Sequence, residues 1–287
     1  MPSDGKVDLH LHTTASDGRL TPEELVRLAY RNGVRRMAVS DHDTTNGLPA
    51  AIAEGRRLGV EIIPAIELSC DVAETEVHIL GHFLRYEDAA FQEMLAKFRA
   101  ARYGRAQKMV EKLNELGLRV SWERVKAIAG DAAVGRPHVA RALVEAGYVA
   151  SLPEAFDRYI GRNGPAYVER FKLTPAEASA LLHSVGATAT LAHPRETAGT
   201  VEMIPELAAA GLDGVEVYYY RDYGPGALEE LLALTRRYGL VPTGGSDYHG
   251  NVLSGLVTAS NEPGTVAIPP EVVDELWERR VRLFGAD

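Results

Sequence analysis

The chain has 287 residues, a formal net charge of −9 and a composition that is 46% hydrophobic and 25% charged, which is typical of a soluble enzyme. It has no apolar run of the ~18 residues that a membrane-spanning helix needs and no signal-peptide pattern, so we expect a cytoplasmic protein without a membrane partner. The single cysteine, Cys70, excludes a disulfide framework and a cysteine-based zinc site, and the acidic charge argues against binding duplex DNA.

Short apolar runs alternate with helical patterns, which is typical of a mostly parallel sheet covered by helices. Seven runs are predicted as strands: Val7–Leu11, Arg36–Ser40, Glu61–Leu68, Val77–Leu84, Ala187–Ala192, Gly214–Tyr220 and Leu240–Gly244. Helices are predicted over Pro22–Arg31, Leu48–Leu58, Pro175–Ser184, Val201–Ala210, Ala227–Tyr238 and Pro270–Arg279. The first helix begins with an N-cap threonine, a proline and a capping-box glutamate, namely Thr21, Pro22 and Glu24.

The alternation stops in the middle of the chain, where the pattern is helical throughout. Four helices are predicted there: Ala89–Leu116, Trp122–Ala129, Pro137–Ala146 and Leu152–Ile160. We therefore predict one α/β barrel, formed by residues 1–87 and 171–287, that is interrupted by a helical insertion domain of residues 88–170.

The first predicted strand ends in two histidines that are separated by one residue, in the sequence Asp8-Leu9-His10-Leu11-His12. Side chains at i and i+2 of a strand point the same way, so His10 and His12 can bind one metal. Asp17 follows in a turn, where an aspartate is also common for backbone capping alone.

Further imidazoles and carboxylates lie mainly at the ends of the predicted strands, although His78 lies early in its own strand. They are His42, Glu67, His78, His193, Asp247 and His249. Strand ends meet at the active face of a β/α barrel. Any one of these residues has a structural explanation, but together with the first three they predict a metal site.

Four segments resemble the motifs of the PHP (polymerase and histidinol phosphatase) superfamily of metal-dependent phosphoesterases: His10-Leu11-His12, Ser40-Asp41-His42, Ala192-His193-Pro194 and Asp247-Tyr248-His249. The resemblance spans nearly the whole chain. It implies a distorted (β/α)7 barrel, in agreement with the seven predicted strands. It also implies three divalent metal ions, for which we expect Mn2+, with Zn2+ or Fe2+ compatible with the same ligands.

The resemblance further implies how the ligands are shared among the metals. His10, His12, Glu67 and Asp247 would hold the first metal, Glu67, His78 and His193 the second, and Asp17, His42 and His249 the third. The residues expected to act in catalysis are Asp17, His42, Glu67, Asp247 and His249. The expected reaction is phosphate ester hydrolysis by a hydroxide that bridges the first two metals.

The helical insertion resembles that of a PHP subgroup of small bacterial proteins, notably over Gly135–Ala140 and Ala155–Tyr159. Members hydrolyse 3′,5′-bisphosphonucleotides such as 3′-phosphoadenosine-5′-phosphate, and some are 5′-to-3′ exoribonucleases. Since arginine matches phosphate oxygens, we expect a second substrate phosphate to contact the set Arg99, Arg102, Arg136 and His138. Arg105, on the same helix as Arg99, is expected to be solvated.

The predicted function is therefore hydrolysis of the 3′-phosphate of a small bisphosphonucleotide. A 5′-to-3′ exoribonuclease acting on short 5′-phosphorylated RNA stays open as an alternative, as does a non-catalytic PHP binding module, against which the complete ligand set argues. The oligomeric state is left open. Structural roles are expected for His82, His183 and Cys70, and packing at the barrel rim for the run Tyr218-Tyr219-Tyr220.

Overall fold

A computed structural model describes residues 5–72, 75–130, 132, 134–169, 173–219, 224–250 and 261–286. Within these residues, one sheet contains β1 Lys6–Asp8, β2 Val34–Val39, β3 Glu61–Val72, β4 Thr75–His82, β5 Thr188–Leu191, β6 Gly214–Tyr219 and β7 Val241–Gly245, in that spatial order. The helices are α1 Pro22–Arg31, α2 Leu48–Leu58, α3 Ala89–Glu115, α4 Trp122–Ala129, α5 Arg136–Glu145, α6 Leu152–Ala155, α7 Pro175–Ser184, α8 Ile204–Ala209, α9 Ala227–Tyr238 and α10 Glu271–Phe284. None of the helices in these ranges is long and apolar enough to cross a membrane.

The sheet is parallel except around β4, which runs antiparallel to both β3 and β5. It closes on itself because the segment after β1 bonds to β7 and the segment that follows it. Leu9 N donates to Gly244 O over 3.2 Å, and Asp247 N donates to His10 O over 2.9 Å. The predicted distorted seven-stranded barrel is thus confirmed.

The ends of several elements differ from the prediction, and two of these differences affect strands next to predicted ligands. Strand β1 ends at Asp8, so His10 and His12 lie in the extended segment that follows it, where Leu11 forms an isolated bridge with Tyr248. Strand β3 continues to Val72 because it pairs with β4 as a long hairpin. Tyr220, the predicted end of β6, lies outside the described residues.

The predicted start of α1 is confirmed in detail. Thr21 Oγ1 accepts from Glu24 N over 3.2 Å, and the Glu24 carboxylate accepts from Thr21 N over 2.9 Å. Pro22 occupies the first turn, where its missing N–H costs no hydrogen bond. The capping box therefore fixes where α1 begins after the turn that carries Asp17.

The helical insertion has an apolar core of its own. Its buried side chains include Met109, Leu113, Val125, Val139 and Leu143. The barrel side chains pack in separate clusters. This separate core supports the proposal that residues 88–170 form an insertion domain, although Arg170, at the proposed boundary, lies outside the described residues.

Arginines fasten the insertion to the barrel. The contacts join Arg102 to Asp43 and to Ser69 Oγ, Arg136 to Glu76 over 2.7 Å, Arg141 to the carbonyl oxygen of Asp17 over 2.9 Å, and Arg162 to Asp71 over 3.0 Å. Because Asp17 and Asp43 lie on loops at the carboxyl ends of strands, these contacts place the insertion over the mouth of the barrel.

Candidate metal centre

The nine predicted ligands converge at this mouth. His10 and His12 follow β1, His42 follows β2, His193 follows β5, and Asp247 and His249 follow β7. Glu67 and His78 lie on the β3–β4 hairpin, and Asp17 lies in the turn before α1. Neighbouring imidazoles are close enough to touch, with the rings of His12 and His249 stacked 4.0 Å apart.

The tightest group contains the four residues expected to hold the first metal. His10 Nε2 lies 3.3 Å from both Glu67 Oε2 and Asp247 Oδ1. His12 Nε2 lies 3.1 Å and 3.2 Å from the same two oxygens. Donor atoms around a tetrahedral metal with bonds of about 2.1 Å lie about 3.4 Å apart. These four distances are close to that spacing, and the ligand atoms of His10, His12 and Glu67 all lie within 4.8 Å of one another.

The second carboxylate oxygen of Glu67 contacts a different pair of histidines. His78 Nδ1 lies 2.7 Å from Glu67 Oε1, and His193 Nε2 lies 3.2 Å from it. One carboxylate thus contacts two sets of imidazoles through separate oxygens, which is the arrangement expected of a bridging ligand.

The third expected group is looser. His249 Nε2 lies 3.3 Å from Asp17 Oδ1, whereas His42 Nε2 lies 3.8 Å from Asp17 Oδ2. The other nitrogen of His42, Nδ1, lies 3.1 Å from Glu67 Oε2. His42 therefore stands between Asp17 and Glu67.

Several of these atoms are buried and have no hydrogen-bond partner among the described residues. They are His10 Nε2, His12 Nδ1 and Nε2, His42 Nδ1, Glu67 Oε2 and His78 Nδ1. A buried polar atom without a partner costs about 1–3 kcal/mol, so such a cluster would destabilise the fold. Divalent cations satisfy imidazole and carboxylate donors of this kind, and the residues present fit them.

Two carboxylates of the cluster are held in the ionised form that binds metals. Burial opposes ionisation of Glu67, but His42, His78 and His10 outweigh it and hold its pKa well below the usual range. The same balance of burial against His249 and His42 holds the pKa of Asp17 well below its usual range. Burial lowers the pKa of His42 to about 3, which favours the neutral imidazole. Burial lowers the pKa of His78 and of His249, but the neighbouring carboxylates outweigh it, Glu67 raising the first to about 9 and Asp17 the second to about 10. A cation that binds these two imidazoles must therefore displace their protons.

Glu216 supports this cluster, and the sequence reasoning missed it. Its carboxylate lies on β6, 3.1 Å from His10 Nδ1, and accepts from the backbone N of His193 over 2.7 Å. A carboxylate that fixes a ligating imidazole in this way orients it and raises its basicity. The signal was available, because a glutamate inside the apolar run of β6 needs a partner when it is buried.

Asp41 and Gly18 shape the turn that carries Asp17. Asp41 accepts from Thr13 N over 2.8 Å, from Thr13 Oγ1 over 2.7 Å and from Ser16 Oγ over 2.6 Å. A Cβ on Gly18 would lie 2.6 Å from the backbone carbonyl of His12, so only glycine allows this close approach. The turn is therefore built by residues that do not themselves face a metal.

Two of the predicted ligands have left-handed backbone conformations, with φ of 27° at His193 and 49° at Asp247. Such angles are strained for residues other than glycine and concentrate at functional sites. Tyr219 donates its hydroxyl to Asp247 Oδ2 over 2.8 Å. Tyr219, at the end of β6, therefore also holds a predicted ligand, a role beyond the expected packing at the barrel rim.

The expected structural residues have the roles predicted for them. His82 Nε2 lies 3.0 Å from the carbonyl oxygen of Leu9, and burial lowers the pKa of this histidine to about 4. His183 Nε2 lies 2.8 Å from Oδ2 of Asp213, which precedes β6, whereas most of the predicted ligands follow the ends of strands. Cys70 is buried in the apolar core.

A cavity of about 460 Å³ lies between the metal-ligand cluster and the insertion. Arg102 and Arg136 line it, and Met109, Leu152 and Phe156 form an apolar part of its wall. The guanidinium of Arg136 lies 5.4 Å from the centre of the Phe156 ring. The volume lies within the range of small-ligand sites, which is about 300–1,000 Å³.

The four residues expected to contact a second phosphate fall into two classes. Arg102 and Arg136 face the cavity. Arg99 and His138 are not among the described residues that line the cavity. His138 is 2% exposed, and its Nδ1 accepts from Gly135 N over 3.0 Å at the start of α5. That position supports capping of α5 rather than a place in the cavity.

The expectation that Arg105 is solvated is wrong. This side chain is 7% exposed, lines the cavity, and donates from Nε to the carbonyl oxygen of Val168 over 2.7 Å. The reason is that α3 packs against the rest of the insertion. Arg105 lies on the packed face of this helix and not on the face exposed to solvent.

Comparison with known proteins gives consistent matches. The model of the PHP domain family matches residues 8–115. The chain is 35% identical over 248 residues to the 5′-3′ exoribonuclease Rnm of Salmonella typhimurium, covering 84% of each chain. It is 32% identical over 247 residues to the phosphoribosyl 1,2-cyclic phosphate 1,2-diphosphodiesterase of Eggerthella lenta, covering 85% of this chain and 94% of the relative.

Two further matches extend the comparison. The chain is 31% identical over 251 residues to the 3′,5′-nucleoside bisphosphate phosphatase of Chromobacterium violaceum, covering 85% of this chain and 87% of the relative. A crystal structure from Bifidobacterium adolescentis, described as a metal-dependent phosphoesterase, superimposes with a TM-score of 0.84 at 30% identity, covering 97% of this chain and 98% of the other. These relatives differ from one another in the phosphate ester that their names specify.

Proposed function

The chain belongs to the PHP domain family, and from that membership we propose that it hydrolyses a phosphate ester of a nucleotide with the help of bound divalent cations. The observation that carries the proposal is the cluster of buried ligand atoms without hydrogen-bond partners at the floor of a cavity of about 460 Å³. The family relatives are phosphoesterases, which agrees with this chemistry.

Each part of the site has a role in this proposal. Bound divalent cations supply a nucleophilic water near neutral pH and neutralise charge on the phosphoryl oxygens. Three groups of residues would hold them, with Glu67 shared between two groups. Glu216 orients His10, and Tyr219 orients Asp247. The insertion covers the site, with Arg102, Arg136 and Phe156 on its side of the cavity.

We propose the 3′-phosphate of a 3′,5′-bisphosphonucleotide as the substrate group. The cavity has room for one nucleotide, its arginines provide positive charge for a second phosphate, and Phe156 offers a ring on which a base can stack. The 31% identity to a 3′,5′-nucleoside bisphosphate phosphatase supports the same substrate.

A 5′-to-3′ exoribonuclease acting on short RNA is the second candidate. The 35% identity to the exoribonuclease Rnm favours it, and so does a separate arginine-lined cavity that shares Leu152 with the main one. Both candidates use the same ligands, so they differ in whether the substrate continues beyond the first nucleotide.

The test is a parallel assay of the Mn2+-reconstituted chain on 3′-phosphoadenosine-5′-phosphate and on a 5′-phosphorylated RNA pentamer, with products followed by chromatography. Phosphate released from the first, with the pentamer intact, supports the phosphatase. Stepwise release of mononucleotides from the pentamer supports the exoribonuclease. A chain that carries the metal and acts on neither substrate would contradict the proposal of a nucleotide ester.

A matched pair of variants ties the activity to the cluster. Asp247→Asn removes a charged ligand and is expected to lower turnover by more than about 100-fold. Asp274→Asn changes an exposed aspartate of α10 and is expected to leave turnover unchanged. Wild-type turnover in Asp247→Asn would show that the activity comes from elsewhere.

A further inference from the structure

A second cavity, of about 280 Å³, lies beside the metal centre on the side of Asp17. Its lining includes Arg19, Arg124, Arg141, Glu145 and Leu152, and we call it the arginine pocket. Leu152 also lines the main cavity, so the two cavities are neighbours. Arg19 is two residues beyond Asp17 in the chain, and Arg141 Nη2 donates to the carbonyl oxygen of Asp17 over 2.9 Å.

Positive charge in the arginine pocket is not balanced by the described residues that line it. Three arginines face one carboxylate, that of Glu145. Glu145 is already paired, because its Oε2 lies 2.7 Å from Arg124 Nε. Arg19 and Arg141 therefore bring two cations to the pocket without a lining carboxylate of their own.

One nitrogen atom of Arg141 lacks a hydrogen-bond acceptor in the described part of this site. Its Nε is buried and has no hydrogen-bond acceptor among the described residues. Like charges held together at a partly buried site favour an anionic ligand, which supplies both the missing charge and the missing acceptors.

We propose that the arginine pocket binds the phosphate that follows the first nucleotide of an oligonucleotide, whose 5′-terminal nucleotide occupies the main cavity. The proposal rests on the second candidate function, the exoribonuclease, and gives the strand that follows the first nucleotide a binding site. A phosphodiester matches the planar forks of two guanidinium groups. The remaining wall, with Ile128 and Val144, is apolar and suits the sugar or base that accompanies such a phosphate.

The test measures binding apart from turnover. A 5′-phosphorylated, phosphorothioate-linked RNA pentamer carrying a fluorophore is titrated with the full chain at several salt concentrations, and its anisotropy is followed. Replacing Arg19 by glutamine is expected to weaken binding about tenfold. It should also reduce the magnitude of the salt slope by about 0.7, the value for one phosphate contact on a single strand.

Three companion measurements keep the result specific. Arg19→Lys keeps the charge without the fork and should restore part of the affinity. Arg57→Gln removes an exposed arginine from α2, outside both cavities, and should change neither affinity nor slope. The third is the affinity for 3′-phosphoadenosine-5′-phosphate, which should fall much less than that for the pentamer.

Two outcomes would overturn the proposal. Unchanged pentamer affinity and salt slope in Arg19→Gln would show that the pocket takes no phosphate. An equal loss for 3′-phosphoadenosine-5′-phosphate would assign the pocket to the second phosphate of a mononucleotide. Absence of turnover by the Mn2+-loaded wild type, with pentamer binding that still depends on Arg19, would contradict the phosphoesterase function and support the pocket.

Discussion

Two buried glutamates organise the ligand cluster at the level of single residues. Glu67 offers each of its oxygens to a different set of imidazoles. Glu216 is not one of the predicted ligands, but its carboxylate contacts the ring of His10 and accepts a hydrogen bond from the backbone N of His193. The first glutamate therefore joins the groups, and the second keeps two of their members in orientation.

Replacing Glu216 by glutamine tests this positioning role. The change keeps the size of the side chain but removes the charge that favours the ligating tautomer of His10, so we expect Mn2+ affinity to fall about 10–100-fold. Isothermal titration of metal-stripped protein measures it. Glu206→Gln, at an exposed glutamate of α8, is the control and should bind Mn2+ as the wild type does. Equal affinity in Glu216→Gln would show that the contact to His10 does not tune the site.

At the level of elements, the insertion depends on a few arginine contacts with the loops of the barrel. The one between α3 and the loop after β2 is the most buried, since the side chains of Arg102 and Asp43 are 11% and 2% exposed. Arg102 also donates to Ser69 Oγ over 2.7 Å. A single arginine of α3 therefore holds two barrel segments that lie next to the ligands.

Removing this contact should be costly. Arg102→Ala removes the guanidinium that contacts the buried carboxylate of Asp43, and we expect the free energy of unfolding to fall by about 3–5 kcal/mol. Urea denaturation measures the change. On an Asp43→Asn background the same substitution should cost less, because the side chain at this position then carries no charge.

The matched control lies on the same helix. Lys97 pairs with Glu93 over 2.9 Å, but both side chains are more than half exposed. Lys97→Ala should therefore change the free energy of unfolding by less than about 1 kcal/mol. If Arg102→Ala costs no more than Lys97→Ala, the contact does not fasten the insertion.

The sequence predicts the elements well where local chemistry is decisive. The cap of α1, the seven strands and the gathering of ligands at strand ends follow from turn residues, apolar runs and barrel geometry. The antiparallel placement of β4 does not follow, because an apolar run carries no direction. The inward turn of Arg105 does not follow either, since α3 is long and packs on more than one side.

The supporting residues were harder to predict for a related reason. Glu216 and Tyr219 belong to β6, whose apolar run reads as a simple buried strand. Their partners, His10 and Asp247, are more than 25 residues away in the sequence. Contacts of this kind depend on how the barrel closes, which local patterns do not encode.

For the whole molecule, the closure of the barrel is what brings the ligands of its first and last strands together. Asp8 accepts from Ser246 N and from Gly264 N, each over 3.0 Å, and so joins the two ends of the sheet. His10 and His12 follow one end, and Asp247 and His249 follow the other. A cation held by both ends binds only the folded chain, so metal binding should stabilise the whole barrel.

The most direct test of the central claim is a titration of the metal-stripped chain with Mn2+, in which bound metal and the release of phosphate or mononucleotide are measured at each ratio. We expect no turnover without metal. Turnover should rise as the three groups of ligands fill, and binding should reach a plateau near three ions per chain. Turnover that persists unchanged after the metals are removed would contradict a metal-dependent reaction at this site.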